Sequence, residues 1–296
     1  MKISILIISY RSVHKLRKCI ETIGKNKKIV VIENSDLYEI KNSIESEYSN
    51  CKVIINKTNV GYAKAANIGF NHFNEKYVLL LNTDITINEE QINLLEKEIA
   101  SSEEFALASP LSDDLIDFNK SNKLDKNLEN YLENFHENTP TTKVDLVKGC
   151  SLLVNLEKFN NKNIFDDNFF FFFEELDLCK KIKDKKENIL IFNKVKIKHS
   201  NAQSVDNNMQ EAYQNFRHWN YFWGRFYYFK KHYGFFYSFT LHFSKLIRFG
   251  FNCLRYFFLS KKMYMKNKYR FLGLLSSIIG IDSKNSLKIL ENFKKF

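Results

Sequence analysis

Four short runs rich in Val, Ile and Leu punctuate the first hundred residues, at 3–9, 28–33, 52–56 and 77–82. Stretches with helical spacing separate them at 13–23, 38–48 and 63–73, and another follows at 89–100. Runs so brief and so evenly apolar read as strands buried on both faces, which is how parallel sheets are written. Strand–helix alternation builds βαβ units, so the expected class is α/β: a doubly wound, Rossmann-like, mostly parallel sheet flanked by helices. In such sheets ligands bind beyond the carboxyl ends of the strands. Further along, 144–155 reads as a strand, 169–183 as an apolar run entering a helix, and 189–199 as one or two strands. Residues 112–142 are polar and irregular, an expected surface excursion. Beyond about residue 211 aromatic and basic residues interleave and acids nearly vanish until Asp282. The expected division is therefore a sheet domain over 1–210 and a helical extension over 211–296.

A chain of 296 residues can bury one large core or a core plus an appendage. With 44% hydrophobic and 27% charged residues it is globular, and two prolines exclude a linker-dominated or collagen-like chain. The formal charge of +11 suits an anionic partner, whether nucleic acid, acidic lipid or a phosphorylated ligand. Five cysteines lie far apart with no CxxC pair, which fits reduced cytosolic thiols better than a disulfide framework or a zinc site. The run 3–8 is too brief for a signal-peptide core, and no stretch of about 18 uncharged apolar residues occurs. A cytoplasmic protein, soluble or peripheral, is the expectation.

Four segments carry chemistry. In YVLLLNTD a buried strand runs into Asp84, placed either to hold a divalent cation or to cap the helix beginning near Asn88. In NVGYAKAANIG, Gly61 and the small residues that follow could present backbone N–H groups and Lys64 to phosphate, or form a plain turn and a tightly packed helix. In FDDNFFFFFEELDLCKK, five phenylalanines run into Glu174, Glu175 and Asp177. An apolar wall raises a carboxylate's pKa and suits it to general-base work, whereas acids also simply begin helices. His199 follows a strand, and a neutral imidazole suits Mn²⁺, with Asp84 able to share the same ion; a hydrogen-bonded structural His is the alternative.

Taken in order, ISY, VIENSD, NVGYAKAANIG, LLLNTD, VKGCSLLVN, FFFFFEELDLCKK and HSNAQS resemble the family 2 glycosyltransferases, nearest to the rhamnosyltransferase-like branch of bacterial surface-polysaccharide synthesis. The resemblance covers about residues 1–205. It implies a GT-A fold with its nucleotide-binding half over about 1–110, and inverting transfer from a UDP- or dTDP-linked sugar to a glycan or lipid-linked acceptor. It also implies Mn²⁺ or Mg²⁺ on Asp84 and His199, and a catalytic carboxylate at Glu175, with Glu174 and Asp177 as neighbours. Tyr10 and Glu33 would line the base and ribose, and Ser9 would belong to the nucleotide-sugar site. Asn59, Gly61, Lys64, Asn67, Asn82 and Thr83 would lie along the nucleotide sugar, and Gly149 and Cys150 in the loop bordering donor and acceptor. The chain departs from the family pattern at Glu33 and Glu175, where Asp is usual, at Asn82, where other branches carry a first Asp, and at Arg11, where Asn is frequent.

In the tail, His242, Lys245, Arg248, Asn252 and Arg255 recur at spacings of three and four, with Phe243, Ile247, Phe251, Leu254 and Phe258 in the apolar remainder. That predicts a helix with a basic stripe, suited to a membrane interface. A core or dimer helix and a single-stranded nucleic-acid surface are the alternatives, the last unaccompanied by any nucleic-acid-binding fold. A non-catalytic basic membrane- or nucleic-acid-binding protein on a degenerate GT-A scaffold is the competing reading of the whole chain.

Overall fold

The computed structural model describes residues 2–113, 139–200 and 210–291, and the chain divides into two compact units. The first comprises Met1–Val60, Lys64–Asp166 and Glu175–Ser204; the second comprises Gly61–Ala63, Asp167–Glu174 and Val205–Phe296. The surface excursion expected over 112–142 falls largely outside the described residues, as do 201–209.

The first unit is an α/β sheet. Its strands are β1 Ile3–Ser9, β2 Ile29–Glu33, β3 Cys51–Ile55, β4 Tyr77–Asn82, β5 Ile85–Thr86, β6 Leu107–Ser112, β7 Thr141–Lys143, β8 Ser151–Asn155 and β9 Ile189–His199. The order is β3-β2-β1-β4-β8-β6-β9-β5, with β7 also on β9. The parallel pairing expected from the sequence holds over β3-β2-β1-β4. Beyond β4 the sheet is mixed, because β8 runs antiparallel to both β4 and β6 while β9 is parallel to β6. The segment 144–155 corrects the expectation of one strand. Only 151–155 is extended in the sheet, and Val144, Leu146 and Val147 are buried within a loop.

Helices α1 Val13–Ile23, α2 Tyr38–Glu47, α3 Tyr62–Phe70, α4 Glu89–Ser101 and α5 Glu174–Asp184 connect these strands. Helix α1 shows why: Leu16, Cys19, Ile20 and Ile23 fall on one face at helical spacing and are buried against the sheet's apolar side. Gly69 lets α3 lie on the sheet, since a Cβ there would meet Leu6 Cδ1 at 2.4 Å. The α4 N-cap is Asn88, whose side chain accepts from Gln91 N at 2.9 Å, so Asp84 does not cap this helix.

The second unit is helical: α6 Gln210–Tyr233, α7 Phe235–Tyr256, α8 Lys261–Ile278 and α9 Leu287–Glu291. The phenylalanine run belongs here. Phe169 meets Tyr227 edge-on, Phe170 meets Phe216, and Phe173 lies against Tyr221 and Tyr228. Helices α6 and α8 cross so closely that a Cβ on Gly273 would meet Trp219 O at 2.2 Å. Helix α7 corrects the expected polar stripe. His242 is buried, takes a hydrogen bond from Arg225 Nε at 3.1 Å and packs on Phe226 and Phe229, while Asn252 donates to Asn267 at 3.2 Å. Burial holds the His242 imidazole down to about 4, so it is neutral. These polar groups face inward together with Phe249, Phe239 and Leu246, and a second apolar strip of α7 faces outward.

Candidate functional site

The carboxyl ends of β1–β4 carry the polar residues of the first unit. Ser9 and Glu33 stand opposite in register. Glu33 is fully buried, and its carboxylate accepts from Ser9 Oγ at 2.6 Å, Ser35 Oγ at 2.5 Å and Arg11 N at 3.0 Å. Arg11 reaches that position with φ of 51° and pairs with Asp36 through its guanidinium. The Glu33 side chain, expected at the ribose, braces the two loops that follow β1 and β2. Glu33→Ala is expected to destabilise the fold by about 3 kcal/mol in chemical denaturation, because three donors lose a charged acceptor in a buried place.

Next to it, Asn34 is a hub that the sequence reading did not single out. Its Nδ2 donates to Asn59 Oδ1 at 2.9 Å, and its Oδ1 accepts from Asn56 Nδ2 at 3.1 Å and Val60 N at 3.0 Å. Tyr10 is half-buried and hydrogen-bonded to Asn59, so Tyr10 and Asn59 share one fixed network with Asn34. A polar pair directly after a strand, Asn34-Ser35, was the available signal. Asn67, expected near the nucleotide, is a staple. Its Oδ1 accepts from Ile164 N and Phe165 N, and its Nδ2 donates to Phe165 O and Asn163 Oδ1. Those bonds saturate the amide inside the fold and correct that expectation. Lys64 sits half-buried in the first turn of α3, and Thr83 is half-buried at the end of β4. Gly61, grouped with the helical unit, has φ of +89° and carries the chain past Phe170 O, 2.9 Å from where a Cβ would lie.

At the end of β4 the arrangement changes from satisfied to open. Asn82 N donates to Cys150 O at 3.0 Å, which draws the 148–150 loop to the strand end. Ile85 of β5 pairs with His199 of β9, which sets His199 Nε2 3.4 Å from Asp84 Oδ2. On its other side His199 Nδ1 lies 3.2 Å from Lys148 Nζ, and His199 N donates to Asp113 Oδ1 at 3.1 Å. Asp84 Oδ1 and Asn82 Oδ1 are buried with no hydrogen-bond partner among the described residues. A buried oxygen left so costs about 1–3 kcal/mol, and such a cost marks a place where a ligand completes the bonding. Lys148 and Asp113 left no local signal, because only the fold brings them to His199. Below the strand end, burial and the Asp84 charge push the Cys19 thiol up to about 12, so it serves packing.

These residues fit a hard divalent cation. An orphaned carboxylate oxygen and an adjacent imidazole are apt ligands, and Mg²⁺-type sites take one or two carboxylates and complete the shell with phosphate and water. Among the described residues no cluster of three or more His, Cys, Asp or Glu could hold a metal by itself.

The three acids of α5 separate by environment. Asp177 is fully buried and ion-paired with Lys181 at 2.8 Å, which makes it structural and corrects its place among the catalytic candidates. Glu174 is the buried first residue of the helix and groups with the helical unit. Glu175 keeps Oε2 buried and without a partner among the described residues. Burial raises its pKa above the ordinary carboxylate value, opposed by the backbone N–H groups of Glu175 and Leu176. Gly149 lies against it: a Cβ there would stand 3.3 Å from Glu175 Cβ and 3.4 Å from Cδ. The loop that carries Gly149 and Cys150 thus joins the Glu175 side chain to the Asn82–Asp84 strand end.

Against known proteins, the model of glycosyl transferase family 2 matches residues 4–174. The low-salt glycan biosynthesis hexosyltransferase Agl10 of Haloferax volcanii is 26% identical over 202 residues, 64% of this chain and 63% of that protein, so the match spans under two thirds of the relative's length. Mannosyltransferase PcManGT from Pyrobaculum calidifontis, solved with GDP-Man and Mn²⁺, superposes with a TM-score of 0.54 at 10% identity, covering 94% of this chain and 87% of that one. TarS of S. aureus gives a TM-score of 0.50 at 11% identity, covering 95% and 55%. At such identities the structural likenesses speak for the fold.

Proposed function

Because this chain belongs to glycosyl transferase family 2, with a GT-A fold, we propose that it is a sugar-transferring enzyme that inverts the anomeric centre of a nucleoside-diphosphate sugar by direct displacement. The acceptor is a glycan or lipid-linked chain of surface-polysaccharide synthesis, and the work is done in the cytoplasm at the inner face of the membrane. The observation that supports this best is the pair of half-buried carboxylates, Asp84 and Glu175, each with one buried oxygen left without a partner among the described residues. In this reading Glu175 accepts the proton of the attacking hydroxyl, and burial, which raises its pKa, makes it a stronger base than an exposed carboxylate. Asp84 and His199 hold a divalent ion, Mn²⁺ or Mg²⁺, which when bound supplies Lewis-acid neutralisation of the departing diphosphate. Tyr10 and Asn59, joined to Asn34, offer a flank for the base and ribose, and Gly149 leaves room for the Glu175 side chain. Rhamnose carried on UDP or dTDP is the proposed donor, on the resemblance of the motif series.

A thermal-shift screen of UDP-, dTDP- and GDP-sugars with and without Mn²⁺ tests the reading. One donor should stabilise the protein by about 2.7 kcal/mol at a hundredfold excess over its Kd, and only with the metal present. The absence of a metal-dependent shift with every nucleoside-diphosphate sugar overturns it.

A further inference from the structure

Helix α7 carries an uncovered apolar strip on its outer face. At 3.6 residues per turn Phe236, Phe243, Ile247, Phe251 and Leu254 fall within an arc of about 80°, and all are exposed: Phe236 82%, Leu254 78%. Phe258, just past the helix, continues the line at 90% exposure. At 22 residues the helix is about 33 Å long, so the apolar strip extends well beyond a scattered surface residue. The opposite face holds Ser238, His242 and Asn252 in hydrogen bonds within the unit and seats Phe249 in an apolar cluster with Phe239 and Leu246, so the exposed strip is a second apolar surface.

Charge borders this strip on one sign only. Arg248 and Arg255 are exposed one residue beyond Ile247 and Leu254, and Lys261 and Lys262 are exposed at the start of α8. Between Ala212 and Ile281 there are twelve lysines and arginines and no Asp or Glu. Arg248 and Arg270 both reach over the Phe249 ring, 5.6 and 5.9 Å from its centroid, and the buried Arg270 Nε has no hydrogen-bond partner among the described residues. No helix of the described residues is long and apolar enough to cross a membrane. A second copy would set this all-cationic border against its own like.

We propose that the outer face of α7 lies in the interface of an anionic membrane, with its aromatic and aliphatic strip at the acyl boundary and Arg248 and Arg255 at the lipid phosphates. The surface belongs to the helical unit alone, and its test uses no sugar transfer, so it stands or falls separately from the donor and metal assignments.

Flotation of the full chain with phosphatidylglycerol-containing vesicles at low salt should carry most of the protein upward, and pure phosphatidylcholine vesicles should carry at least tenfold less. Ile247→Asp with Leu254→Asp should lower the bound fraction at least tenfold while circular dichroism stays unchanged, since both side chains are exposed. Arg248→Glu with Arg255→Glu should erase the preference for anionic vesicles. Absent binding to anionic vesicles, or equal binding by the Ile247/Leu254 variant, overturns the proposal. So does a vesicle-independent dimer, or an RNA complex, that the same two aspartates abolish.

Discussion

Glu175→Gln is expected to lower the turnover of sugar transfer about 10³-fold while donor affinity stays within about twofold. A positioned general base contributes about 10²–10⁴ in rate, and a loss of 10³ corresponds to about 4 kcal/mol of barrier. The amide keeps the shape that packs on Gly149 but cannot accept the acceptor's proton. Single-turnover kinetics beside donor titration separates the two effects. The neighbours serve as controls. Glu174→Gln should change turnover less than tenfold. Asp177→Asn should weaken the Lys181 contact and lower stability with little change in the chemical step. If Glu175→Gln turns over normally while Glu174→Gln collapses, the base is Glu174.

The pH dependence gives an independent check on the same residue. Burial raises the Glu175 pKa, and the base is the ionised form, so kcat/KM should climb with pH through a value above the ordinary carboxylate range. That acid limb should vanish in Glu175→Gln. Linkage carries the sign through to stability. A folded-state pKa raised above the unfolded one gives a contribution that is full below the unfolded pKa and lost as pH rises through the folded pKa. At neutral pH the buried carboxylate therefore costs stability, and the glutamine variant should melt higher than the parent while being inactive. An acid limb that persists in the variant would assign the titration elsewhere.

The β1–β4 half was legible because each strand is a short Val/Ile/Leu run and each helix buries a face at regular spacing. β6 was not, because LASPLS holds no β-branched residue and a proline where the register with β9 shifts. The 144–155 error has a different cause. Val144, Leu146 and Val147 are apolar because they are buried, and burial in a loop leaves the same mark as burial in a strand. On α7 the periodicity was right, but His242 and Asn252 do not belong to an exposed basic stripe. Hydropathy alone cannot tell that His242 and Asn252 find partners on Arg225 and Asn267. In the site, Asp84 and Glu175 announced themselves by acids at a strand end and a helix start. Lys148 and Asp113 converge on His199 only through tertiary pairing, so no window of sequence contains them.

Asp84→Ala is expected to remove metal-assisted donor binding altogether. Calorimetric titration of the nucleotide sugar should show affinity that no longer changes between Mn²⁺ and chelator, a loss of about 100-fold relative to the parent with metal, and transfer should fall below detection. His199→Ala should weaken the same metal response by at least about tenfold, the lower end of what loss of even a supporting hydrogen-bond partner costs a metal site. Stability should move the other way. Asp84 Oδ1 is buried without a partner among the described residues, so deleting the carboxylate relieves about 1 kcal/mol of desolvation cost even as it gives up the 3.4 Å contact with His199. A carboxylate that merely braced the β5–β9 junction would behave in the opposite sense: its loss would lower stability and leave the metal response of donor binding intact. The two signs, read on one variant, decide between a bracing role and a metal-holding one, and an unchanged Mn²⁺ response would remove Asp84 from the metal site.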